Sequence, residues 1–381
     1  MTVIENAVNA GTAPVGLVDS ARVPKGLRGV QARLLGGVMA RVFGVVRPGD
    51  VHARPEPLRC PPHAGAGPYG VTHYGVMIPD LPAPHHFLAC AAILGGTGMR
   101  AFDNDAVAQR YGGPRRAATL VHGTAAAVDG HFTHYALPEG MTLKEDGSLL
   151  RFGAALELSG RYPAFRVRSE RPGFALDLAL TATGECTWFA HSAVYQHLSL
   201  LTRYHGTLTH EGKVLPVAGL CTYEYARGLS PYAFVNRSLP PRLKLPWDFF
   251  SYQVINLDAD TQLLFAHCEV MGAAVLTGAY LRRAGGGAER IDGDVRLRVL
   301  TTQAAPGVAP DGRETALPRT FRWSVQARSG RRLFEIDATV DTPMLFGIGA
   351  GFVGGFRWEG RRDGRPAAGR GYIEYVDRRE A

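Results

Sequence analysis

The chain has 381 residues, 46% hydrophobic and 20% charged, which is enough apolar material for a sizeable core and too little charge for a disordered protein. Its formal charge is +8, but lysine occurs only at Lys25, Lys144, Lys213 and Lys244, and the arginines are scattered, densest from Arg357 to Arg379, with no nucleic-acid-reading motif beside them. A solvated basic surface is expected, not a nucleic-acid partner. No apolar run reaches the ~18–20 residues of a bilayer helix, and Glu5 stands where a signal peptide carries basic residues, so the expected location is cytoplasmic.

Five widely spaced cysteines (Cys60, Cys90, Cys186, Cys221, Cys268) form no CxxC pair, which argues against a disulfide framework and a structural zinc. The pairs His85-His86 and His131/His134 lack an HExxH context, so no metal is expected. Gly95–Gly98 and Gly285–Gly287 lack the spacing and following Lys or acidic residue of a phosphate loop, so no nucleotide cofactor is expected either.

In chain order, residues 1–23 read as a frayed arm. From Lys25 to Val46, Leu27, Val30, Leu34, Leu35, Val38, Met39, Val42 and Val45 recur at three- and four-residue steps with Arg28, Arg33 and Arg41 between them, predicting an amphipathic helix ended by Pro48-Gly49-Asp50. Packing of its apolar face on the body is the favoured expectation; contact of residues 25–46 with a membrane surface is the alternative. Beyond Pro55, short runs rich in Val, Thr, Tyr, Phe and Leu alternate with Gly, Pro, Asp and Asn. They predict strands at 69–77, 86–93, 118–121, 149–152, 156–159, 165–169, 174–182, 207–210, 214–226, 250–256, 262–270, 295–301, 320–326, 334–339, 354–358 and 371–376. That number is too high for one small barrel and lacks the helices of a parallel sheet, so the fold class is all-β, with two tandem antiparallel barrels or sandwiches. The expected division is an arm and helix at 1–50, a first barrel at 51–205 and a second at 206–381, cut near Thr202–Gly212.

The segment from Gly206 to Glu269 is the densest in chemistry-bearing side chains. Strand alternation puts Tyr223, Tyr225 and Arg227 on one face and Thr222 and Glu224 on the other, and likewise groups Phe265, His267 and Glu269. A carboxylate on an apolar strand is either a buried proton donor or the partner of an arginine.

The run Val217-Ala218-Gly219 through Thr222-Tyr223-Glu224-Tyr225-Ala226-Arg227-Gly228, then Trp247-Asp248-Phe249-Phe250-Ser251 and the closing Gly369-Arg370-Gly371-Tyr372-Ile373-Glu374, resembles the carotenoid 1,2-hydratase and AttH-like lipocalin-type family over roughly residues 150–377. Where hydratases read Asp-His-Glu-Trp, this chain reads Thr222-Tyr223-Glu224-Tyr225 and keeps only the glutamate. The resemblance implies two lipocalin-like barrels and hydratase, cyclase or isomerase chemistry, pericyclic closure included, on a bulky apolar isoprenoid, steroid or polyketide held in an apolar barrel cavity or in a pocket between the two barrels, without a cofactor. The alternative is a lipid or pigment carrier. Under the enzymatic reading Glu224 is the acid, acting with Asp248 and His267. His73, Tyr74, Trp188, Tyr223, Tyr225, Arg227, Trp247, Tyr252, Phe265 and Glu269 are the expected substrate-binding residues.

Overall fold

The computed structural model describes residues 17–22, 24–64 and 67–379. Most of the arm expected over 1–23 therefore lies outside the described residues. Its described part is tied down, not frayed: Val18 is buried in a core cluster, Asp19 bridges to Arg298, and the Ser20 amide donates to the Leu297 carbonyl.

The first sheet comprises β1 (Tyr69–Leu81), β2 (His86–Gly95), β3 (Ala117–Thr124), β4 (Phe132–Ala136), β5 (Met141–Leu143), β6 (Leu149–Phe152), β7 (Leu156–Arg161), β8 (Ala164–Arg171), β9 (Phe174–His191), β10 (Tyr195–His210) and β11 (Lys213–Leu229). Its order is β4-β3-β2-β1-β11-β10-β9-β8-β7-β6-β5, so the first strand pairs with the last. The second sheet contains β12 (Trp247–Asn256), β13 (Thr261–Val270), β14 (Ala273–Arg283), β15 (Gly287–Arg290) and β16 (Gly293–Thr302). After a small hairpin of β17 (Gly307–Val308) and β18 (Glu314–Thr315), it is completed by β19 (Pro318–Ala327), β20 (Arg332–Val340), β21 (Leu345–Ile348), β22 (Gly351–Arg362) and β23 (Arg365–Asp377). Its order is β15-β14-β13-β12-β23-β22-β20-β19-β16, with β21 on β22 and β12 paired with β23. These are two curled antiparallel sheets, the tandem lipocalin-like architecture the sequence implies. The expected cut at 205/206 falls inside β10, and the chain passes from one sheet to the other between Leu229 and Trp247.

Burial explains why the runs read as they do. On β8, Phe165, Val167 and Ser169 point inward while Arg166 and Arg168 face water, and β16 repeats the pattern with Val295, Leu297 and Val299. In contrast β2 and β13 are buried along nearly their whole length because one face lines a barrel and the other meets the opposite sheet. Each barrel interior is filled. Phe165 stacks on Tyr223 at 4.1 Å in the first, and Phe265 on Trp323 at 4.5 Å in the second. A third cluster, with Met77, Phe87, Ala91, Tyr252, Val254, Ala266 and Tyr372, forms the seam between the sheets.

Helix α1 (Gly26–Val42) packs on the body as expected, but through a different face from the large apolar stripe. Its buried face is Gly29, Ala32, Gly36 and Met39, laid on β13 and β14, whereas the larger stripe Leu27, Val30, Leu34, Val38 and Val42 is 43–75% exposed. Small residues allow the close approach: a methyl added at Gly36 would meet Val275 at 3.3 Å.

Candidate active site in the seam between the sheets

The cavity lies between the sheets and not inside a barrel, one of the two placements the resemblance left open. Its volume is about 130 Å³, close to the engineered cavity of ~150 Å³ that takes up benzene. Its apolar wall includes Phe43, Ile93, Phe189, Trp247, Phe250 and Leu276, and its polar groups are His73, Thr97, Tyr195, His197, Glu224, Tyr252 and Glu374.

Strand register builds the polar cluster. His73 on β1 and His197 on β10 are both paired with Ala226 on β11, so the two imidazoles flank a small side chain and approach to 6.0 Å between ring centroids. Glu224, two residues along β11 and thus on the same face, is flanked by Gly75 and Ser199. Gly75 leaves space for the first imidazole, since a Cβ there would meet His73 Nε2 at 3.2 Å. From the opposite sheet, Tyr252 on β12 donates its hydroxyl to Glu224 Oε1 at 2.6 Å, while His197 Nε2 lies 3.3 Å from Glu224 Oε2. Tyr252 is the register partner of Glu374 on β23, and the Tyr372 hydroxyl donates to Glu374 at 2.9 Å.

The two carboxylates differ in charge state. Burial alone would raise Glu224, but the hydrogen bond and charge of His197, the Tyr252 hydroxyl and the nearby His73 outweigh it and hold its carboxyl below the usual range. Burial, reinforced by the Glu224 charge, pushes Glu374 up to about 8. Burial and the neighbouring His197 pull His73 down to about 4, with Glu224 and the Ala92 carbonyl opposing. Nearby, the fully buried guanidinium of Arg282 on β14 donates to the Ser199 hydroxyl (3.0 Å) and carbonyl (3.1 Å) and to Gln262, placing a compensating positive charge close to Glu224.

His73, His197 and Glu224 also form a donor set whose ligand atoms lie within 4.8 Å of one another, a two-histidine, one-carboxylate grouping able to take a divalent transition metal. It joins β1 to the consecutive strands β10 and β11, and involves neither His85-His86 nor His131/His134.

Of the expected site residues, Glu224, His73, Trp247 and Tyr252 line the cavity. The others do not. Tyr74, Tyr223 and Tyr225 fill the first barrel, with Tyr74 and Tyr225 donating to the Cys60 and Pro61 carbonyls. Trp188 packs in the same interior, edge-on to His191, and Arg227 bonds Gln196 while covering the Tyr69 ring. His267 and Phe265 face the second barrel, where His267 is held by Thr277 (2.8 Å) and Glu269 (2.9 Å). Asp248 sits at the β12 bulge and is pushed up to about 7 by burial and then by the charge of Glu269, away from the cavity wall. Four polar wall residues lie outside the expected set, among them Thr97 in the loop after β2. Tyr195 and His197 sit in the first half of β10, where the sequence predicts no strand, and Glu374 belongs to the closing Gly-Tyr-Ile-Glu run, where its place on an apolar strand beside Tyr372 is the signal that marks it.

The model of a family of unknown function, DUF6670, matches residues 91–381, and the chain belongs to that family. No curated protein gives a significant match. Among solved structures, the chain is similar to a proposed AttH (NE1406) from Nitrosomonas europaea, at 16% identity and a TM-score of 0.54, covering 87% of this chain and 98% of that one. It also aligns with CghA solved with Sch210972, at 9% identity and a TM-score of 0.45, over 89% of this chain and 97% of that one. The AttH likeness shows that the fold is shared.

Proposed function

We propose that the chain is a lyase or isomerase that moves protons on an apolar, alkene-bearing substrate whose reacting end enters the seam cavity. The observation that carries the reading is the pair Glu224 and Glu374, carboxylates presented by opposite sheets into an otherwise largely apolar cavity, with Tyr252 bonded to one and register-paired with the other. Two titratable groups held in different protonation states by their surroundings divide the acid and base roles between them. The acid role first given to Glu224 therefore passes to Glu374, whose O–H proton goes to one alkene carbon while the π electrons form the new C–H bond. The cationic carbon left behind faces Phe189, Trp247 and Phe250, whose rings stabilise positive charge. Glu224 then takes a proton from the adjacent carbon, giving an isomerised or cyclised alkene, or from an added water, giving an alcohol. Return of that proton to Glu374 resets the site.

The cavity volume supports entry of one end of a longer molecule, such as a terminal isoprenoid unit, rather than enclosure of a whole steroid. The test is native mass spectrometry of protein purified from its own host, identification of the extracted apolar molecule, and incubation of that molecule and its unsaturated analogues with wild type, Glu374→Gln and Glu224→Gln. Conversion by wild type alone is expected. Retention of an unaltered ligand by all three would leave a carrier.

A further inference from the structure

The surface of α1 has an arrangement that the seam chemistry does not use. A helix covering a β-core normally buries its large apolar residues and shows water its small or polar ones. Here the order is largely reversed: Leu27 is 75% exposed, Leu34 67% and Val38 57%, while the packed face is Gly29, Ala32, Gly36 and Met39 with Leu35 half-buried beside them. The charges are one-sided too. Lys25, Arg28, Arg33 and Arg41 are exposed, the helix carries no carboxylate, and neither Arg33 nor Arg41 forms an ion pair with a described residue. A surface groove beside the helix is lined by Arg33, Arg41, Arg47 and Arg290 together with Val38 and Val45. Val45 also lines the seam cavity, as does Phe43 at the end of α1.

We propose that α1 seats the protein on an anionic lipid surface, with the Leu27–Val42 stripe among the acyl chains and the arginines at the headgroups. An apolar stripe edged with cations and without anions is the composition of an interfacial helix. The same charges oppose pairing of two copies through this face, because each would bring only positive groups to the other. Seated this way, the protein turns the wall shared by groove and cavity toward the phase in which an apolar substrate dissolves. The inference is independent of the chemistry assigned to Glu224 and Glu374.

The test is flotation of the full-length protein with vesicles of phosphatidylcholine containing phosphatidylglycerol and with vesicles of phosphatidylcholine alone. Wild type is expected to float only with the anionic vesicles and to be released by salt. Replacing two interfacial arginines, Arg33→Gln with Arg41→Gln, is expected to weaken partitioning about thirtyfold, from ~1 kcal/mol for each cation. Leu34→Ser with Val38→Ser is expected to abolish it while circular dichroism and melting stay unchanged. Wild type remaining unbound with anionic vesicles would overturn the proposal. So would sedimentation of wild type as a dimer that the Leu34→Ser, Val38→Ser protein does not form. Neither result touches turnover of detergent-dispersed substrate, which reports on the seam site alone.

Discussion

Tyr252 and Glu224 belong to different sheets, yet the phenol donates to the carboxylate at 2.6 Å in the seam. Hydrogen bonds to buried charges contribute about 1.5–3 kcal/mol, so Tyr252→Phe should lower the unfolding free energy by about that amount. It should also let the Glu224 carboxyl titrate at higher pH, because one of the bonds holding it ionised is lost. Denaturant unfolding and the infrared carboxylate band check the two effects separately; an unchanged band would mean that the surrounding histidines and Arg282 keep Glu224 charged without Tyr252.

Glu374 should give the protein an alkaline limit. Its carboxyl is raised from 4.5 to about 8, so across that window the folded chain holds a proton that the unfolded chain has released. Stability therefore falls as pH rises through the window, and turnover that needs the protonated acid falls near its upper end. Asp248, raised from 3.8 to about 7, adds a slope of the same sign over lower pH. Glu374→Gln is expected to flatten the stability profile toward pH 8 and cut turnover by about 10²–10⁴-fold. Asp248→Asn should flatten the lower part of the stability profile and leave turnover intact.

Gly75 should control where His73 points. A methyl there would meet Met77 Sδ at 2.9 Å and His73 Nε2 at 3.2 Å; the flexible methionine tip can swing aside, but the ring contact is also too tight and the imidazole must give as well. Gly75→Ala is expected to rotate the imidazole away from Glu224 at a cost of about 1 kcal/mol, and to weaken ligand binding about fivefold. The His73 resonances in an NMR titration report the rotation directly.

The donor set of His73, His197 and Glu224 invites a further check. If proton transfer by carboxylates carries the reaction, turnover should survive exhaustive treatment with a chelator. Turnover lost on chelation and restored by one divalent metal would move the chemistry from Glu374 to an ion held by the two imidazoles and Glu224.

The barrel strands were legible because alternation of Phe165, Val167 and Ser169 with arginines leaves a period of two in the sequence. The seam was not. Strands β2 and β13 are covered on both faces, so their apolar runs do not say which face looks into a barrel. That ambiguity separates Glu224, which points into the seam, from Tyr223 and Tyr225, its immediate neighbours, which point into a packed barrel. His197 escaped for a related reason, since its strand reads Tyr-Gln-His-Leu-Ser with polar and apolar residues mixed. The β14 strand was hidden by its alanines and glycine, which carry little β preference. For α1 the period was read correctly, but a period cannot show which stripe faces inward when glycine and alanine form the alternative face.

The cross-ties between the sheets give the seam a property that neither barrel has. Tyr252 to Glu224, Arg282 to Ser199 and Asn256 to the Leu220 carbonyl are separate polar struts between two sheets whose own interiors are already filled with aromatic rings. Lengthening or deleting one strut changes the gap between the walls without asking either interior to repack. Seam width and barrel integrity therefore rest on different residues, and a change at a few strut positions would alter the cavity while both walls stay as they are.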